Sequence, residues 1–189
     1  MPGQPVAFNE PELYNRAVNG QVYSAETAVT GVAPGTAIGT TGAFSLHNLA
    51  GSGKNLVILE TRMGYVSGTL GAGVVNYLFN APGVAGPSAG TAIAIQNARI
   101  GGAPTAAALA YTTSTIVAPT LLRPFCSLGA SLASTVEAPW SISDKVQGGI
   151  IVPPGATLTL HATAAAGTSP LVVFYMQWAE LLVPDNAAD

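Results

Sequence analysis

The chain has 189 residues, of which only 8% are charged, against about 25% in ordinary soluble domains. Its six basic residues, Arg16, Lys54, Arg62, Arg99, Arg123 and Lys145, are scattered and the net charge is −3, so direct nucleic-acid binding is not expected. Apolar residues reach 49%, yet every apolar run breaks within about ten residues where a membrane span needs about twenty.

The N-terminal segment MPGQPVAFNEPELYNRAVNG lacks a basic stretch followed by an apolar core, so no secretory signal is expected. Its prolines and asparagines mark residues 1–20 as an arm, with a short helical turn over Pro11–Val18, outside a single domain at 21–189. Strand-like segments follow at Val22–Val29, at Ala43–Leu49 after the link GVAPGTAIGTTG, and at Asn55–Ser67. Further strands are expected at Val74–Asn80, Thr91–Ala98, Ala106–Val117 (its alanines also suit a short helix, but Tyr111–Val117 is dense in β-branched residues) and Leu121–Leu128, then a polar crossing over Ala133–Asp144.

The last third is the most regular. Ala156, Leu158, Leu160 and Ala162 alternate with Thr157, Thr159, His161 and Thr163, the period of a strand with one apolar face. Leu171–Trp178 is apolar throughout except at Gln177, which predicts a central strand covered on both faces, paired with the first as a hairpin. Short strands with turn signals every 8–12 residues and no long helix predict an all-β antiparallel sandwich, a jelly roll being one way to arrange eight strands.

Chemical signatures are sparse. In AGSGKN (50–55) the P-loop positions for the first glycine and the final Ser or Thr hold Asn48 and Asn55, so a glycine-rich hairpin connection with a solvated Lys54 is expected. His47 and His161 stand alone on the polar faces of their strands, without the cluster a metal needs. No G-x-S-x-G elbow occurs, and the nine carboxylates suggest no hydrolytic pair. Cys126 reads as a small buried hydrophobe and Trp178 as core. The reading is therefore a non-enzyme, with no catalytic, cofactor or metal residues assigned. A surface this poor in charge suits either a virion or secreted protein covered by copies and partners, or a neutral monomer.

FSLHNLAGSGKNLVI, MGYVSGTLGAG, GGIIVPPGATLTLHATA and VVFYMQWAEL, spanning most of 43–183, resemble the jelly-roll cement or decoration proteins of tailed bacteriophages. The resemblance implies a virion location on the capsid surface, contact with the major capsid protein, and a homo-oligomer, a trimer favoured over a dimer. It carries no motif-defined binding residues. The alternative is a receptor- or glycan-binding sandwich module of a head fibre or tail, which would present aromatics near Tyr65, Tyr77 or Trp140.

Overall fold

The structure is a computed structural model that describes residues 10–103, 105–128, 141–164 and 167–184. Helix α1 (Glu10–Val18) is followed by strands β1 (Val22–Glu26), β2 (Thr41–Asn48), β3 (Lys54–Ser67), β4 (Gly73–Asn80), β5 (Thr91–Ile93) and β6 (Ile95–Asn97). Then come β7 (Ala108–Thr115), β8 (Thr120–Leu128), β9 (Ser141–Asp144), β10 (Ile151–Val152), β11 (Thr157–Ala164) and β12 (Leu171–Leu182). They form two six-stranded antiparallel sheets, β10-β3-β12-β1-β6 with β9 also on β3, and β5-β7-β2-β11-β4-β8. The expected all-β antiparallel sandwich is observed.

Pairing is nested: β1 with β12, β2 with β11, β3 with β10 and β4 with β8. The β5–β7 segment lies between β4 and β8 in the chain and adds edge strands beyond β1 and β2. Around Ala94 the chain leaves one sheet for the other, so the single strand expected over Thr91–Ala98 is two short ones.

The last two strands are not a hairpin. β11 pairs with β2 and β4, whereas β12 pairs with β1 and β3 in the facing sheet. A turn between inward-facing apolar strands looks the same in sequence whether the strands pair or face each other, which is why alternation misassigned them. β12 is central as expected, but its outer face is half-buried at Val173, Tyr175 and Gln177 rather than fully covered. Within the described part of the expected polar crossing, residues 141–144 form β9 on β3.

The core lies between the sheets. Phe44, Leu46, Tyr77, Leu158 and Leu160 meet Ile58, Met63, Phe174, Met176 and Trp178, all fully buried. Trp178 stacks on Tyr23 with centroids 6.3 Å apart. One open flank is clasped by Asp144 of β9, which accepts from Tyr77 Oη (3.1 Å) and Arg123 Nη2 (2.7 Å) of the other sheet. Arg123 also lies 4.7 Å over the Tyr77 ring, and burial pushes the Tyr77 hydroxyl pKa up.

The described part of the N-terminal arm is packed. Leu13 and Ala17, one turn apart on α1, cover Val22, Leu59 and Ala179 on the outer face of the β12 sheet. Gly20 ends the helix at φ +70°, with Gly20 N donating to Ala17 O and Gln21 N to Arg16 O, a cap that glycine adopts without strain. Residues 1–9 of the arm lie outside the described residues.

Trp178→Ala removes the largest buried side chain and should lower unfolding free energy by about 3–5 kcal/mol. Urea titration followed by circular dichroism checks this; a loss below about 1 kcal/mol would show that the core refills the space.

Candidate functional site

Among the concave regions that the fold builds are a polar cleft and an apolar groove. The polar cleft, about 520 Å³, opens where the end of α1 meets β6 and β12, lined by Asn19, Gln21, Lys54, Asn97, Arg99 and Glu180. Glu180 is at its floor, 2% exposed. Its Oε1 accepts from Ala107 N (2.7 Å) and Trp178 Nε1 (3.5 Å), and its Oε2 from Lys54 Nζ (3.0 Å). Asn97 Nδ2 donates to Gly20 O (3.0 Å) and its Oδ1 accepts from Arg99 N (2.8 Å), fixing the rim. These bonds make the cleft a structural junction that ties the helix end, β6 and β12 together.

The apolar groove, about 250 Å³, runs between the end of β4, β8 and β10, lined by Phe79, Pro82, Leu122, Ile151, Pro153 and Leu158. Leu121 and Ile151 beside it are about half exposed. Apolar side chains also stand out elsewhere: Ile100 is 100% exposed, Val29 80% and Leu182 79%.

The carboxylates with described partners each meet a base. Glu60 binds Arg62 (2.9 Å) and Lys145 (3.2 Å), Asp144 binds Arg123, Glu180 binds Lys54, and Glu12 binds Arg16 (2.6 Å). The Arg62 guanidinium holds the Glu60 carboxyl below its usual range. Among the described residues no three His, Cys, Asp or Glu side chains gather as a metal cluster would require. Glu137, Asp185 and Asp189 lie outside the described residues, as does Trp140.

The glycine-rich connection at 50–53 joins strands of different sheets, so it is not the expected hairpin. Buried Asn48 organises it, donating from Nδ2 to Lys54 O (2.7 Å) and Val152 O (2.9 Å) and accepting from Ser52 Oγ (2.8 Å). Lys54 is paired rather than solvated, through a carboxylate 126 residues away that no local pattern could reveal. Tyr77 is fully buried and cannot present a ring to a ligand, while Tyr65 is half-buried and donates to Gly68 O (2.5 Å). Cys126 is half-buried against the core, its thiol pushed up to about 11 by burial.

His47 and His161 do sit on the polar faces of β2 and β11, but that face is roofed over. His161 is 5% exposed and its Nε2 donates to Ala37 O (2.6 Å); His47 Nδ1 bonds Thr157 Oγ1 (3.0 Å). Burial lowers both pKa values, opposed by nearby backbone carbonyls.

Glu180→Ala strands the Ala107 and Trp178 donors and should cost about 1–3 kcal/mol. Lys54→Ala keeps both N–H bonds but takes the cation from a carboxylate that is 2% exposed, and should cost about 3–5 kcal/mol. Denaturant midpoints compare the two, and a loss under about 1 kcal/mol for Lys54→Ala would show that the two N–H donors, not the ion pair, stabilise the junction. Compared with family models, with curated proteins and with solved structures, the chain matches none.

Proposed function

We propose that this chain is a structural subunit of a viral head, a cement or decoration protein that binds the outside of a major-capsid-protein lattice and stabilises it. One observation carries the reading: a nearly uncharged sandwich exposes Ile100, Val29, Leu182 and the Leu122–Ile151 groove to water. Such groups gain when copies or partners cover them, at about 25 cal/mol per Å² of apolar area removed from solvent. The nested strand pairs are those of a long antiparallel ribbon rolled on itself, and we read the sandwich as a jelly roll on that ground. A repeating lattice makes modest contacts by each copy effective together. The subunit acts as a homo-oligomer, with a trimer favoured over a dimer.

Light scattering of the purified protein, alone and with empty capsids of its source, tests this. A stable trimer or dimer that co-sediments with capsids and delays their disruption on heating is the expected result. Ile100→Glu or Leu182→Glu should weaken capsid attachment or oligomerisation without altering the circular dichroism spectrum. Removing residues 1–9 should weaken one of these contacts too, whereas removal through residue 20 also uncovers Val22, Leu59 and Ala179. A monomer that ignores capsids would reject the proposal and favour a receptor- or glycan-binding module.

A further inference from the structure

The outer face of the β11 sheet has an unusual electrostatic situation. β2, β4, β7 and β11, and the connections 31–40 and 81–90 that cross them, contain no Asp, Glu, Lys or Arg. The titratable side chains on these segments are His47, His161, Tyr77 and Tyr111; Tyr77 faces the interior clasp and Tyr111 is half-buried on β7. Edge strand β8 adds Arg123, which is engaged by Asp144, and Cys126. An imidazolium formed under the roof would therefore find no anion on these elements among the described residues.

The roof over His161 is segment 35–39. Its ends are anchored, by Ala162 N donating to Pro34 O (2.7 Å) on one side and Ile116 N donating to Thr40 O (2.7 Å) on the other. Between the anchors it rests on the imidazole. A Cβ on Gly35 would lie 2.4 Å from His161 Nε2, and Gly35 holds φ +92°. Because Nε2 donates to Ala37 O, the ring is the tautomer whose Nδ1 is the free base, and Nδ1 is buried with no hydrogen-bond partner. The Ala37 and Thr41 backbone favours a protonated ring, but burial outweighs it, so a second proton enters a site that disfavours its charge.

We propose that segment 35–39 is an acid-released flap latched by neutral His161, and that protonation of this ring lifts it to expose the uncharged Thr-lined face of β11. The sign follows from linkage. In the open state the ring has its ordinary value of 6.5, and in the closed state burial holds it lower. The closed state is therefore fully favoured above pH 6.5, and opening grows by up to about tenfold per pH unit below it until the closed-state value is reached. The contact beneath Gly86, whose Cβ would lie 2.9 Å from His47 Nε2, is a separate one.

Ring NMR titration together with amide hydrogen exchange, corrected for intrinsic rates, tests the flap. The expected result is a His161 midpoint below 6.5, with exchange at the Ala162 and Ile116 amides that hold the segment's ends rising as pH falls while β12 and the rest of β11 stay protected. His161→Gln should abolish that pH dependence, and His47→Gln should retain it. Gly35→Ala should open the flap at neutral pH. A His161 midpoint at or above 6.5, pH-independent exchange at the Ala162 and Ile116 amides, or loss of protection across both sheets together would overturn the proposal. Should His161→Gln fail to fold, the wild-type titration and exchange still decide.

Discussion

Strand β12 is the constraint on which the rest of the molecule depends. It lies between β1 and β3, and its alternate residues Val172, Phe174, Met176 and Trp178 fill the middle of the core. A register shift opposite Gln177/Trp178 leaves Leu59 of β3 as the extra residue, so the inward parity changes along β3, from Leu56 and Ile58 to Met63, while β12 alternates without a break. Beyond it, Ala179 meets the cluster that Leu13 and Ala17 of α1 cover, and Glu180 reaches the junction with Lys54 and Ala107. One strand thus fixes the core, seats the helix and anchors the polar cleft. A slip of one residue would send the apolar set to the outside and lose all three.

The facing sheet solves a different problem. Its inner side is apolar, but its outer side buries hydroxyls, amides and imidazoles beneath two connections. Those groups are satisfied largely by one another. Ser114 Oγ donates to Ser45 Oγ (2.9 Å), which bonds Thr159 Oγ1 (3.2 Å). Asn76 Nδ2 reaches Val74 O (3.2 Å) and Thr163 Oγ1 (3.3 Å). Hydroxyl ladders of this kind avoid the desolvation cost of charge. They explain how a sandwich can have two covered outer regions with so few ionised groups.

Much of the fold was legible because period-two alternation is a local signal. The runs at Ala43–Leu49, Asn55–Ser67 and Leu121–Leu128 became β2, β3 and β8 with small changes of boundary. Which strands pair is a long-range property, and there the sequence misled: the turn before Leu171 reads the same for a hairpin and for a crossing between sheets. The same limit hid the chemistry. Glu180 meets Lys54, and Asp144 meets Arg123 and Tyr77, across separations that no motif spans. His161 was legible as a polar-face residue, but its roof at 35–39 reads only as a glycine-rich link. Burial of that face required the roof to fold back over it.

The two outer faces consequently offer different chemistry to anything that binds them. On the β12 sheet, Glu26, Tyr175 and Arg62 lie in one cross-strand row, with Arg62 5.6 Å over the Tyr175 ring and paired with Glu60. Contacts made there must rearrange or screen charge, so their strength depends on ionic strength. The β11 side has no such row, and the adjoining groove of Phe79, Leu122 and Ile151 is apolar. Contacts made there are driven by removal of apolar area from water and are nearly indifferent to salt. The salt dependence of association therefore reports whether a partner covers the charged row on the β12 sheet or the face of β2, β4, β7 and β11, which contain no Asp, Glu, Lys or Arg.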